Sequence, residues 1–145
     1  LPAAVYLFDL DFLKEANDMC GHEMGDHMLQ TFADLLRTNT RTTDVICRYG
    51  GDEFVAILKN VQSEEDAVKI GRKICDTFHD IHSDNVLYYG CSCGVTMCRI
   101  GEIPNYSLID RADRALYKAK KSLKGSCCMY EQLREEEQKM GKHLG

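Results

Sequence analysis

The chain has 145 residues, which is enough for one hydrophobic core. Apolar residues make up 44% of it and charged residues 28%, proportions that exclude a disordered or membrane-embedded protein. The net charge of −5 argues against binding to nucleic-acid polymers, and no apolar run approaches the ~20 residues of a membrane-spanning helix. We expect a cytoplasmic domain without membrane contact, whose full-length parent could still be membrane-anchored.

The first predicted element is a buried strand that ends in acids. The apolar run of residues 5–8 leads directly into Asp9-Leu10-Asp11. The carboxyl ends of strands are where α/β folds keep their sites, although a lone acid there is more often a turn residue. Residues 14–19 then predict a short helix that ends near Gly21. A stripe of apolar residues at helical spacing predicts a second helix over residues 27–37.

Two adjacent acids follow a Gly-Gly pair between two strand-like runs. Residues 45–58 predict a hairpin in which Gly50 and Gly51 supply the positive φ angles of a two-residue turn. Asp52 and Glu53 would then stand together at the tip. Two carboxylates so close repel each other unless a proton or a cation intervenes, so a divalent metal is one explanation. A solvated acidic turn is the other, and it is commoner for this motif taken alone.

The second half of the chain predicts an alternation of helices and strands. Ser63 to Asp66 resembles a capping box that opens a third helix. A strand over residues 88–97, a helix over 108–123 and a short strand over 127–130 follow. The order is βααββαβαβ, an α+β fold in one domain of residues 1–130. Residues 131–145 are predicted to be a solvated polar helix or tail. The eight scattered cysteines favour reduced core residues over a zinc site or a disulfide framework.

These elements carry an ordered series of motifs that resembles the GGDEF family of diguanylate cyclase domains, over almost all of residues 5–130. The series consists of Asp9-Leu10-Asp11 with Lys14, Asn17-Asp18, Gly21-His22, Gly25-Asp26, Arg48 to Phe54, Ser92-x-Gly94-Val95, and Arg111-Ala112-Asp113 leading into Ala115-Leu116-Tyr117-x-Ala119-Lys120. The resemblance implies a ferredoxin-like, palm-type sheet and the condensation of two GTP molecules to cyclic di-GMP. It also implies that the acids of the first strand and of the hairpin lie side by side.

The resemblance also implies roles for individual residues. Asp52 and Glu53 would be catalytic acids and metal ligands, and Asp9 and the Leu10 carbonyl would complete a site for Mg²⁺ or Mn²⁺, with two ions per active site. Asn17 and Asp26 fall where the family reads guanine. Asp26 alone would more often be a helix cap.

Basic residues complete the implied site. The phosphate contacts would come from Lys14, Lys120 and Lys124, of which the last two stand four residues apart on one helix face. Lysines at the end of a helix also simply complement its dipole. This chain has Phe12 where the family often has His, Leu13 where it usually has Phe, and Leu123-Lys124 where it usually has Gly-Arg.

The resemblance finally implies a product-binding inhibitory site. Arg41-x-x-Asp44 stands five residues before Gly50, where the family places this motif, and Arg72 is a further candidate contact. A surface ion pair of small value is the alternative for Arg41 and Asp44.

Other functional classes remain open from the sequence. They are a GTP-binding or cyclic di-GMP-binding module without catalysis, a purely structural or dimerisation domain, and a cyclase of relaxed base choice, which Asp26 disfavours. For the cyclase we expect a homodimer, and a sensory or receiver domain in the full-length protein.

Overall fold

The computed structural model describes residues 2–81, 89–99, 101–102, 105–122 and 126–144. Its elements are, in chain order, β1 (Ala3–Asp11), α1 (Leu13–Cys20), α2 (His22–Thr38), β2 (Val45–Arg48), β3 (Glu53–Lys59), α3 (Glu64–His79), β4 (Gly90–Cys98), α4 (Tyr106–Ser122), β5 (Cys127–Met129) and α5 (Tyr130–Leu144). The predicted order βααββαβαβ is confirmed, and α5 follows it. Lys124 and Leu123 lie outside the described residues, as does the predicted start of the fourth strand at Tyr88.

The five strands form one mixed sheet in the order β2-β3-β1-β4-β5. The central strand β1 pairs antiparallel with β3 and with β4, and β5 runs parallel to β4. In this register Asp9 lies opposite Glu53 on one side and Ser92 on the other. The sheet confirms the predicted ferredoxin-like, palm-type architecture and brings the end of β1 beside the β2–β3 hairpin.

The larger core fills the face of the sheet that α1, α2 and α3 cover. Tyr6 and Phe8 of β1 stack at 5.6 Å between ring centroids, and Phe8 meets the edge of Phe32 from α2 at 5.4 Å. Phe32 also contacts Phe54 and Phe78, each at 5.1 Å. Such ring pairs contribute about 0.5–1.5 kcal/mol each beyond their burial. The aromatic cluster therefore joins β1, β3, α2 and α3 into one rigid unit.

Helix α4 covers the opposite face of the sheet. Its residues Ala112 and Leu116 pack against Leu7 and Val55. The contact is close because Gly94 of β4 has no side chain: a Cβ there would lie 2.0 Å from the Ala112 carbonyl oxygen. Because side chains alternate along a strand, the odd-numbered residues of β1, Asp9 among them, share the face on which α4 packs.

The helix starts differ in part from those predicted. Helix α2 begins at His22 rather than at residue 27, because Gly21 adopts φ 89° and separates α1 from α2. Asp26 therefore lies inside α2, and the alternative that it caps the helix is wrong. The predicted capping box is confirmed, since the Ser63 side chain accepts a hydrogen bond from the Asp66 amide at 3.1 Å.

The turn of the hairpin also differs from the prediction. The Tyr49 and Gly50 amides donate to the Glu53 carbonyl at 2.8 and 3.3 Å, so the loop encloses three residues rather than two. Neither Gly50 nor Gly51 has a positive φ. The prediction of a tight turn built on left-handed glycines was wrong, because a longer loop closes with ordinary backbone angles.

Helix α5 occupies nearly the whole of the predicted tail. The Glu131 carboxylate accepts hydrogen bonds from the Thr96 hydroxyl at 2.5 Å and the Met97 amide at 2.8 Å, which ties the first turn of α5 to β4. Residues 132–141 are mostly exposed, as predicted. All eight cysteines lie in the described residues, where none forms a disulfide, and five of them are buried. Among the described helices, none is long and apolar enough to cross a membrane.

Candidate functional site

Three acids converge where β1 ends and β3 begins. Asp9 and Glu53 are register partners on adjacent strands, and the Leu10 amide donates to the Asp52 carbonyl at 3.0 Å. One carboxylate oxygen from each of Asp9, Asp52 and Glu53 lies within 4.8 Å of the other two. The predicted grouping of these acids is therefore confirmed as a feature of the fold.

The pKa values of two of the three acids are raised. Burial raises the pKa of Asp9 to about 7, with a contribution from Asp52, even though Lys120 acts in the opposite direction. Burial, followed by repulsion from Asp52 and Asp113, also raises the pKa of Glu53. Both shifts show that the ionised forms lack sufficient positive charge around them.

These residues fit a hard divalent cation. Asp9 is only 6% exposed, and its Oδ1 atom is buried without a hydrogen-bond partner. A buried carboxylate oxygen with no donor is costly unless a cation meets it. Carboxylate oxygens are the ligands that Mg²⁺ and Mn²⁺ prefer. Among the residues that the structure describes, no second cluster of this kind occurs.

Lys120 joins the cluster from α4. Its ammonium pairs with Asp9 Oδ2. Burial alone would lower the pKa of Lys120, but its contact with Asp9 outweighs this effect and raises that pKa above the usual value. Close by, the Ser92 hydroxyl lies 3.0 and 3.1 Å from the two carboxylate oxygens of buried Asp11. The predicted phosphate ligand Lys120 thus stands beside the acids in the free domain.

The two predicted base-reading residues flank the junction of α1 and α2. Asn17 packs against Gly25, where a Cβ would lie 2.0 Å from the amide oxygen, and that oxygen is buried without a hydrogen-bond partner. Asp26, the next residue, is exposed. It lines a cleft of about 420 Å³ between α2 and β2, together with Phe54 and Arg48. Asp26 therefore lies next to open space on the α2 side of the hairpin, whereas Asn17 is half-buried against Gly25.

The predicted phosphate contact Lys14 lies at the start of α1, just after the β1–α1 connection. This lysine is exposed in the first turn of α1. Phe12, at the N-cap of α1, adopts a left-handed conformation with φ 62°. A left-handed phenylalanine is uncommon and costs energy, and such strain concentrates at functional loops.

The predicted product site starts from an ordered turn. Asp44 accepts hydrogen bonds from the Arg41 and Lys59 amides, each at 2.9 Å. The Arg41 side chain is exposed, so the Asp44 carboxylate orders the backbone while the guanidinium faces solvent.

The further candidate contact, Arg72, lies exposed on α3 and acts electrostatically on Cys128 of β5. Since β2 and β5 are opposite edges of the sheet, Arg72 faces away from the Arg41–Asp44 turn within one domain.

Two residues close to the acids were not predicted to be site residues from the sequence. Arg48 donates to the carbonyls of Gly50 and Gly51. Asp113 lines, with Asp9 and Glu53, a cleft of about 610 Å³ along α4. Their motifs were visible in the sequence. What each side chain touches depends on the packing of β2 and α4, which no local pattern reports.

A palm-like sheet with three acids at the end of its central strand, and a lysine beside them, is an arrangement suited to nucleotidyl transfer. Comparison with known proteins agrees with this class. Residues 1–126 match the family described as "Diguanylate cyclase, GGDEF domain". The chain belongs to this family.

Individual relatives support the assignment. The chain is 38% identical over 127 residues to the response regulator PleD of Caulobacter vibrioides, covering 83% of this chain and 28% of PleD. It is 37% identical over 124 residues to diguanylate cyclase DgcZ of Escherichia coli, covering 83% of this chain and 41% of DgcZ. The chain thus spans less than half the length of these relatives.

A solved structure matches the fold as well. The active GGEEF domain of a diguanylate cyclase from Vibrio cholerae superposes with a TM-score of 0.80 at 29% identity. The match covers 89% of this chain and 83% of that domain. The similarity therefore extends over nearly the whole sheet and its helices.

Proposed function

We propose that the chain is a diguanylate cyclase domain, which condenses two GTP molecules to cyclic di-GMP and two pyrophosphates. The observation that carries the proposal is the convergence of Asp9, Asp52 and Glu53 at the end of the central strand. In each half reaction the 3′-oxygen of one GTP forms a bond to the α-phosphorus of the other. The bond from that phosphorus to pyrophosphate breaks, and the hydroxyl proton leaves to a base or to water.

The three acids, with the Leu10 carbonyl, would hold Mg²⁺ or Mn²⁺, with two ions per active site. Bound there, such ions neutralise phosphate charge and lower the pKa of the attacking hydroxyl. Asp52 and Glu53 stand at the open end of the hairpin, where a nucleotide can approach them, whereas Asp9 is buried. The fixed positions of Asp9 and Glu53 on paired strands pre-organise the site.

Positive side chains would meet the triphosphate from two directions. Lys120 approaches from α4 and is already beside Asp9. Lys14 stands in the first turn of α1, and we keep Lys124 as a third contact. Once phosphate oxygens arrive, the Lys120 ammonium can exchange part of its contact with Asp9 for them. The Lys120 ammonium would then pair with Asp9 before GTP binds and with phosphate oxygens afterwards.

Guanine selectivity would come from Asn17 and Asp26. A carboxylate accepts hydrogen bonds from N1 and N2 of guanine, groups that adenine does not present as donors, and the Asn17 amide can pair with the base edge. The contact of the Asn17 amide with Gly25, the residue before Asp26, supports a shared role for Asn17 and Asp26.

The active species would be a homodimer. Each domain has one acid cluster, whereas the product joins two nucleotides symmetrically, so two domains must face each other across their substrates. An exposed hairpin tip suits this arrangement. We further infer a sensory or receiver domain in the full-length protein, which the name of PleD as a response regulator supports. A GTP-consuming domain of this kind would work in the cytoplasm.

Product inhibition would act through Arg41 and Asp44. The ordered turn and the solvent-facing Arg41 offer a fork-shaped donor for phosphate or guanine. Arg72 could contribute only to a ligand that reaches the other side of a domain, for example one held between two copies.

A binding module without catalysis is the second candidate, and it is favoured by the departures at Phe12 and Leu13 from the family pattern. Incubation with GTP and Mg²⁺, followed by chromatographic separation of the nucleotides, distinguishes the two. We expect cyclic di-GMP and pyrophosphate from GTP and no product from ATP. Tight GTP binding without turnover would establish the binding module instead.

A further inference from the structure

The β2–β3 turn is braced by one side chain. Arg48 donates from Nε to the Gly50 carbonyl at 3.1 Å and from Nη2 to the Gly51 carbonyl at 2.6 Å. Both carbonyls belong to the loop that carries Asp52. The guanidinium thus spans the outside of the turn with two donors in a fixed plane, which a lysine does not provide.

Little else holds this turn in place. Residues 47–51 are exposed, so core packing does not determine the path of the loop. Neither glycine has a positive φ, so the turn makes no use of the backbone angles that glycine adopts more readily than other residues. The other hydrogen bonds across the loop come from the Tyr49 and Gly50 amides to Glu53. Two glycines in a row are otherwise free to take many conformations.

The position of Asp52 depends on this loop. Asp9 and Glu53 are fixed by strand pairing. Asp52 precedes β3; its carbonyl accepts from the Leu10 amide at 3.0 Å, but the residues that lead into it, Gly50 and Gly51, lie in the exposed loop. A cation site needs all three acids at once. We propose that Arg48 is a positioning residue, which holds the Gly50–Gly51 turn so that Asp52 joins Asp9 and Glu53 as a cation-binding set. This inference deepens the proposed function by assigning a residue that supports its metal site.

The test measures cation binding without nucleotide. Mn²⁺ is titrated into the protein and followed by electron paramagnetic resonance of the free ion. Arg48→Lys keeps the charge but loses the fork, and we expect Mn²⁺ to bind it roughly three- to tenfold more weakly. Arg48→Gln, which loses the charge as well, is expected to bind at least as weakly as the lysine variant.

Arg37→Lys is the matched control. Arg37 lines the same cleft between α2 and β2, but its guanidinium pairs with Asp34 on its own helix at 3.0 Å. We expect native Mn²⁺ affinity for this variant. All proteins are compared at a temperature at which circular dichroism shows them folded, and the rise of the thermal midpoint with Mn²⁺ gives a second measure.

Native Mn²⁺ affinity in Arg48→Lys would overturn the inference, as would an equal loss in Arg37→Lys. The result is independent of turnover. If the domain binds Mn²⁺ through Arg48-supported acids yet makes no cyclic di-GMP, the proposed function fails and the positioning role stands. If turnover is intact and Arg48→Lys binds Mn²⁺ normally, only the positioning role fails.

Discussion

At the residue scale, the chemistry of this site follows from where single side chains sit on rigid elements. Asp9 is the clearest case, because an acid at the end of an apolar run is recognisable in the sequence and is indeed buried beside the hairpin acids. The turn-bracing contacts of Arg48 and the position of Asp113 were not predictable in the same way. They depend on how the β2–β3 loop closes and on where α4 packs against the sheet, which a local sequence pattern does not report.

Gly25 gives a prediction at this scale. A Cβ at this position would lie 2.0 Å from the Asn17 amide oxygen, so Gly25→Ala should displace the Asn17 side chain. Because Asn17 can rotate away, we expect little loss of stability but a KM for GTP raised by about tenfold, the value of roughly one hydrogen bond to a base. Steady-state kinetics of the alanine variant provides the measurement.

A double variant supplies the control for Gly25. If Gly25→Ala acts through Asn17, then Asn17→Ala should raise KM similarly, and combining the two should add little. Fully additive effects, or a native KM in Gly25→Ala, would separate Gly25 from base recognition.

At the scale of elements, strands and helices were predicted more securely than their ends. The apolar stripes of α2, α3 and α4 were correct because burial imposes the helical period on the sequence. The start of α2 and the form of the β2–β3 turn were wrong for a common reason. Both depend on backbone angles at glycine, which is compatible with several conformations. Of Gly21, Gly50 and Gly51, Gly21 alone has a positive φ.

The contact between α4 and β4 gives a prediction for an element. Gly94→Ala would place a methyl group 2.0 Å from the Ala112 carbonyl oxygen and 2.3 Å from the Leu116 amide nitrogen. Backbone atoms cannot rotate away, so α4 must shift off the sheet. We expect the free energy of unfolding to fall by roughly 3 kcal/mol, as measured by urea denaturation.

Gly141→Ala is the control for this effect. Gly141 is exposed on α5 and has nothing within 4 Å of an added Cβ, so stability should stay the same or rise slightly. Equal stability of Gly94→Ala and the native protein would show that α4 packs less closely than described.

At the scale of the whole molecule, the palm-type architecture could be predicted because the element order and the family resemblance pointed to one fold. The assembly of two domains could not be predicted in this way. The need for two domains follows from the symmetry of the proposed product, not from any contact within one chain.

The assembly prediction concerns dilution. If two domains must meet for each reaction, the activity per molecule should fall as the protein is diluted below its dimerisation constant. Initial rates over a wide concentration series, with light scattering in parallel, provide the measurement. Constant activity per molecule, with a monomer throughout the series, would contradict the dimer.

The most direct test of the central claim removes one charge from the acid cluster. Asp52→Asn keeps the size of the side chain but takes away a carboxylate ligand, while Asp76→Asn makes the same change on the exposed face of α3. Formation of cyclic di-GMP from GTP and Mg²⁺ is followed by chromatography for both variants. We expect a loss of about a hundredfold or more in Asp52→Asn and native activity in Asp76→Asn. Native turnover in a folded Asp52→Asn protein would contradict the assignment of this cluster as the active site.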